Sequence, residues 1–119
     1  MPGSPSPAPL QAFDVAVVPF PFTDRQASKR RPALVLSKPG FNQASRHAVL
    51  AMITSTGQSV WPGDFALRDL AAAGVSVPCV VRMKLFTLDE RLILRVCGRL
   101  AAADQKRLHA AWRGLLALS

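Results

Sequence analysis

Val18-Pro19-Phe20-Pro21-Phe22-Thr23-Asp24 ends one apolar run, and Lys29-Arg30-Arg31-Pro32-Ala33-Leu34-Val35-Leu36-Ser37 opens the next. The first run, from about Phe13 to Val18, reads as a strand. Pro19 and Pro21 end it or confine it to an edge, because proline lacks the N–H that a ladder needs. Thr23 to Arg31 is polar and basic and reads as a loop. Ala33 to Ser37 reads as a second strand. Pro32 biases the residue before it toward an extended backbone. Arg31 is therefore expected at a strand entrance, better fixed than in a free loop.

Outward from this pair, Lys38 to Asn42 carries a turn signal. Arg46 to Thr54 is the strongest strand in the chain, and its length suits a central position. Ser55 to Gly63 reads as a polar loop containing Trp61. Phe65 to Leu67 reads as a short strand, and Asp69 to Val75 as a turn closed by Gly74. Val77 to Met83 and Arg91 to Arg99 read as two further strands, with Leu85 to Glu90 between them. On the last, Leu92, Leu94 and Val96 share one face and Ile93, Arg95 and Cys97 the other. The period then changes. Leu108, Ala111, Trp112, Leu115 and Leu116 recur three to four apart, as on one face of a helix, and Asp104 suits its N-cap. Short strands followed by one helix predict a mainly β domain. Its expected form is a small, strongly curved sheet or partly closed barrel, capped by the C-terminal helix. Residues 1–11, proline-rich up to Pro9, read as a disordered tail, leaving 12–119 as the domain.

The chain has 119 residues, half of them hydrophobic, which suits one domain with a real core. Fifteen Lys and Arg against seven Asp and Glu give a formal charge of +8. That excess favours a polyanionic partner: nucleic acid, an acidic protein or an anionic membrane. A soluble protein from an arginine-rich proteome is the competing reading. Cys79 and Cys97 sit in separate apolar runs and read as reduced thiols, not as a disulfide or metal pair. No run is long and apolar enough to span a bilayer, and the N-terminus lacks signal-peptide character, so the cytoplasm is the expected location. Glycine-rich phosphate loops of the Walker or Rossmann kind do not occur.

Arg31 is the first candidate for chemistry. A fixed guanidinium donates paired hydrogen bonds to a phosphodiester and stabilises the added charge of a pentacovalent phosphate. It is a poor general base because it holds its proton. A solvated basic loop is the alternative reading. Thr54 and Ser55, with Thr56 and Ser59 beyond, end the central strand, where hydroxyls orient a phosphate or simply satisfy a turn. The signal gains weight only if Arg31 and Thr54 face each other. His47 and His109 show no pairing, and the acidic residues are scattered without a metal-ligand cluster. Phosphodiester chemistry here would thus be metal-free, and RNA, with its built-in 2′-hydroxyl nucleophile, is the easiest substrate. Arg82 and Lys84, two apart, either extend a phosphate-binding surface or are solvated. Phe22 and Trp61 are stacking platforms or loop anchors. Lys106, Arg107 and Arg113 fit the wet face of the helix.

Taken in order, Val18 to Asp24, Lys29 to Ser37, Ala51-Met52-Ile53-Thr54-Ser55, and Val81 to Asp89 with the later Gly98-Arg99-Leu100 resemble the PemK/MazF-like toxins of bacterial toxin–antitoxin systems. The resemblance runs from about Phe13 to Leu118. It implies an SH3-like barrel that forms a homodimer and cuts single-stranded RNA at short sequences, without ribosome, metal or cofactor. The substrate 2′-hydroxyl would attack, leaving a 2′,3′-cyclic phosphate and a 5′-hydroxyl. The family's key arginine falls on Arg31 and its key threonine on Thr54. Phe22, Lys29, Arg30, Ser55, Arg82 and Lys84 become expected RNA contacts. Arg82 matches an assisting arginine of some members, but Lys84 stands where those carry an acid. Phe13 replaces a usual glycine, a change expected to concern packing. A cognate antitoxin with an acidic segment is implied, and promoter DNA through the antitoxin complex. Two alternatives are a barrel toxin acting on DNA gyrase, and an inactive barrel that binds nucleic acid or protein.

Overall fold

A computed structural model describes residues 10–20, 29–57 and 59–118. The proline-rich start up to Pro9 and Phe22 lie outside them. The elements are β1 (Asp14–Phe20), β2 (Lys29–Val35), α1 (Pro39–Ser45), β3 (His47–Ser55), β4 (Phe65–Ala66), α2 (Leu70–Ala73), β5 (Cys79–Asp89), a 3-10 turn (Glu90–Leu92), β6 (Arg95–Arg99) and α3 (Ala102–Trp112). The strands form one sheet in the order β4-β5-β3-β2-β1-β6, with antiparallel neighbours throughout. The result is the expected mainly β half-barrel with a C-terminal helix.

β1, the Pro32–Val35 half of β2 and β3 are nearly continuous apolar runs because both of their faces are covered. Val15, Leu34, Ala51 and Ile53 face a core completed by Phe65, Leu67, Leu108 and Trp112. Ala16, Val18, Ala33, Val35 and Leu50 face a second core, closed by Leu88 with Leu10, Phe86, Leu92 and Ile93. Adjacent side chains on a strand point to opposite faces, so two cores require apolar residues at consecutive positions.

The sheet's two edges approach each other through α2. Asp69 caps this short helix by accepting from Ala72 N, and Gly74 ends it at φ +77°. A Cβ on Gly74 would lie 2.2 Å from the Cys97 carbonyl oxygen, and one on Gly98 would lie 2.4 Å from the Ala73 carbonyl carbon. Backbone therefore rests on backbone where α2, which follows edge strand β4, meets edge strand β6.

Several boundaries differ from the sequence reading. Lys29 to Arg31 belong to β2, paired with Phe20 to Val18 of β1. Pro19 lies inside β1, beyond the last β1–β6 pair at Val17–Arg95, so its missing N–H breaks no bond on that side. Lys38 to Asn42 enters helix α1, with Pro39 in the first turn, where a missing N–H is harmless. Leu85 to Asp89 continues β5 against β3. Asp104 does not cap α3; Ala101 holds that position. The Asp104 carboxylate instead accepts from Arg68 N (3.1 Å) and Asp69 N (2.9 Å) and pairs with Arg107, tying α3 to the β4–α2 connection. The helix ends at Trp112, which donates to the Gly63 carbonyl (2.8 Å), so Leu115 and Leu116 lie past it and are exposed. Phe13 takes a left-handed φ of 74°, a conformation natural to glycine and unusual for a bulky residue. Its N–H donates to Val35 O and its carbonyl accepts from Leu100 N, while its side chain packs on the first core.

Candidate nucleic-acid interface

The β2–β3 ladder runs Val35–Leu50, Leu34–Ala51 and Ala33–Met52, and stops there. Beyond it each strand is held from its other side. Arg30 and Arg31 pair with Pro19 and Val18 of β1, while Thr54 and Ser55 pair with Val80 and Cys79 of β5. Carrying the register two residues onward brings Arg31 level with Thr54, and the next step brings Arg30 level with Ser55. These strand ends bound a groove of about 430 Å³. Arg30, Arg31, Thr54 and Ser55 all line it, over an apolar floor that includes Pro32 and Ile53. Its far wall is Gly74 to Val77 from the α2–β5 connection, with Arg95 of β6.

Arg31 is partly buried, and its guanidinium carbon lies 5.1 Å from the centre of the Phe20 ring, a cation–π distance. Its Nε is buried and has no hydrogen-bond partner among the described residues. A buried donor without an acceptor is costly in a folded protein and calls for an explanation.

Charge is distributed unevenly. Arg46, Arg82, Arg91, Arg99 and Arg107 are paired with Glu90, Asp64, Asp89, Asp14 and Asp104. Those pairs occupy every described carboxylate except Asp69, which caps α2. Among the described residues, Arg30, Arg31 and Arg95 have no such partner, and no Asp or Glu lines the groove. The groove is therefore strongly cationic.

Arg82 and Lys84 are not brought to it. The β3–β5 register shifts between Ala51–Leu85 and Met52–Arg82, leaving Met83 and Lys84 as an unpaired bulge. Arg82 donates to Asp64 through Nε (3.0 Å) and a terminal nitrogen (2.8 Å), and to the Ser59 carbonyl (2.6 Å). This arginine holds the Asp64 carboxyl below its ordinary value, and the carboxylate raises Arg82 in turn. Lys84 Nζ sits 4.6 Å from the centre of the Trp61 ring. Both side chains thus shape the β3–β4 loop, and Trp61 is held there as a partly exposed anchor. Lys29 is exposed beside Phe20 near the groove. His47 starts β3, at the far end from Thr54, and turns Nδ1 to the Ser45 carbonyl (2.9 Å). His109 is exposed on α3. Burial raises the Cys79 thiol above its ordinary value. No group of three or more His, Cys, Asp or Glu placed to hold a metal occurs among the described residues, and no helix among them is long and apolar enough to cross a membrane.

Sequence reasoning missed Arg95 as a groove residue. Its available signal was strand alternation, which set Arg95 apart from the apolar Leu94 and Val96.

Residues 11–116 match the sequence profile of the PemK-like, MazF-like toxins of type II toxin–antitoxin systems. The chain belongs to the PemK/MazF-like toxin family. Solved structures share the fold at low identity. The MazE–MazF complex of Deinococcus radiodurans (Form-I) superposes with a TM-score of 0.68 at 23% identity, covering 96% of this chain and 100% of that one. An endoribonuclease in complex with its cognate antitoxin, from mycobacterial species, gives 0.71 at 16% identity, with 92% and 97% covered. The Mycobacterium tuberculosis toxin MazF-mt6 gives 0.64 at 21% identity, with 82% and 90% covered. No curated protein sequence matches the chain.

Proposed function

We propose that this PemK/MazF-like toxin is an endoribonuclease that cuts single-stranded RNA in the cationic groove, with Arg31 and Thr54 as its catalytic residues. The observation that carries the reading is the buried Nε of Arg31, which has no hydrogen-bond partner among the described residues and belongs to a residue lining the same groove as Thr54. A phosphate oxygen supplies the missing acceptor. Arg31 then stabilises the charge that grows on the pentacovalent phosphate, and the Thr54 hydroxyl orients a second oxygen. The ribose 2′-oxygen attacks the adjacent phosphorus and the P–O5′ bond breaks. The 2′-hydroxyl proton leaves to solvent and the departing 5′-oxygen takes one from solvent, because Arg31 keeps its own. The products are a 2′,3′-cyclic phosphate and a 5′-hydroxyl. The reaction is metal-independent, in keeping with described carboxylates that are engaged by arginines or, for Asp69, by a helix cap.

Lys29, Arg30 and Ser55 bind RNA beside the reacting phosphate; Phe22, outside the described residues, is proposed as a further RNA contact. Arg82 and Lys84 act by setting the β3–β4 loop. A homodimer, a cognate antitoxin whose acidic segment competes for the groove, and promoter DNA reached through the antitoxin complex are parts of the same proposal, as is action in the cytoplasm. The test is incubation of a long single-stranded RNA with the purified toxin in EDTA, followed by mapping of the ends. Discrete cuts with 2′,3′-cyclic phosphate ends are expected. Cuts that require added metal, or that leave 3′-hydroxyl ends, would refute the mechanism. Gyrase poisoning without RNA cleavage would move the protein to the other barrel-toxin class.

A further inference from the structure

We infer that Arg95 is an RNA-positioning residue, holding a phosphate that flanks the scissile one. The inference rests on the ribonuclease reading but concerns a strand that none of the Arg-Pro or Ile-Thr positions occupies. Arg95 belongs to β6 and stands opposite Val17 of β1, which in turn stands opposite Pro32, next to Arg31. Two strand spacings of about 4.8 Å put its backbone roughly 10 Å from Pro32. That separation suits neighbouring phosphates of an extended strand better than one phosphate held by both arginines.

Three observations support the assignment. Arg95 lines the groove that holds Arg31 and Thr54. Its side chain makes no ion pair or hydrogen bond among the described residues, whereas Arg99, four residues on in β6, is tied to Asp14 (3.1 Å) and the Ala12 carbonyl (3.0 Å). No carboxylate among the described residues lines the groove to offset its charge. Thr54, Ser55 and Ser76 line the same space, and their hydroxyls are of the kind that donates to phosphate. An acidic peptide would also be drawn to this charge. The hydroxyl-bearing residues beside the arginines favour a nucleotide phosphate.

The test compares the wild type with Arg95→Ala, Arg95→Lys and, as a control outside the groove, Arg113→Ala. One arm measures KM and kcat on a short RNA carrying a mapped cut site. The other measures equilibrium binding of the same RNA with a 2′-deoxy substitution at that site, over a range of salt, and does not depend on cleavage. Arg95→Ala is expected to raise KM about tenfold with kcat nearly unchanged, as for a lost charged hydrogen bond. It should flatten the slope of log affinity against log salt by about 0.7, with Arg95→Lys recovering the slope and Arg113→Ala behaving as wild type. An unchanged KM and salt slope in a folded Arg95→Ala protein would overturn the inference while leaving the ribonuclease reading intact. So would an effect confined to inhibition by an acidic antitoxin peptide. If the wild type cuts no RNA, the ribonuclease reading fails, and the salt dependence of binding to an unmodified single-stranded RNA, compared between wild type and Arg95→Ala, still decides whether Arg95 contacts phosphate.

Discussion

Gly98→Ala should loosen the contact that bends this sheet into a half-barrel. A Cβ at position 98 would meet the Ala73 carbonyl carbon at 2.4 Å, its oxygen at 2.5 Å and the Ala72 oxygen at 2.6 Å. All three atoms are backbone, so no side chain can rotate away; either α2 or β6 must move. Overpacking of this kind costs about 1–3 kcal/mol, and a rigid obstacle points to the upper half of that range. At about 4 °C per kcal/mol for a domain of this size, thermal unfolding should shift down by roughly 8–12 °C. The wall formed by Gly74 to Val77 follows α2 directly, so the groove should change shape and RNA cleavage should fall together with stability. Gly40→Ala is the matched control. Nothing lies within 4 Å of its Cβ position, in helix α1, and alanine there should stabilise by roughly 0.5–1 kcal/mol. Melting followed by circular dichroism reads both. A Gly98→Ala protein melting within a degree of wild type would refute the claim that α2 backbone is seated on β6.

Asp104→Ala removes the acceptor of Arg68 N and Asp69 N and the partner of Arg107. It should cost about 2–4 kcal/mol in urea unfolding, and Asp104→Asn, which keeps one oxygen, should cost less. Asp64 has a folded-state pKa lowered below 3.8, chiefly by the hydrogen bond from Arg82. Its contribution to stability is therefore fully present above that value and is lost as the pH falls through the lower, folded-state one. The gap in melting temperature between wild type and Asp64→Asn should be constant at neutral and mildly acidic pH and close only in strong acid; a gap that closed in mildly acidic solution would contradict the ion pair's role in holding the loop.

Much of the site was legible because it lies in strands with strong local signals. Pro32 fixed Arg31 in an extended backbone, and the apolar run up to Ile53 placed Thr54 at a strand end. Extending the β2–β3 register beyond its last pair, Ala33–Met52, sets the two level, which no single-strand pattern encodes. Elements governed by distant contacts were less readable. The bulge at Met83 and Lys84 let β5 continue through Leu85 to Asp89, whereas simple alternation split the segment. Asp104 resembled an N-cap by spacing, but its partners come from the β4–α2 connection, far away in sequence. Arg82 resembled a free cation until Asp64 arrived from the β3–β4 loop. Phe13 was legible as a packing residue, while its left-handed backbone shows only in three dimensions. Arg95 gave the weakest signal, because whether a strand arginine is paired or free depends on which carboxylates the fold brings near it.

The most direct measurement is single-turnover cleavage of one long single-stranded RNA in EDTA by the wild type, Arg31→Ala and Thr54→Ala, with melting curves establishing that all three are folded. The expected result is cutting by the wild type and a loss of about 100-fold or more in both variants, the scale of removing a transition-state donor. Folded variants that cut at the wild-type rate and at the same positions would contradict the assignment of the groove as the active site.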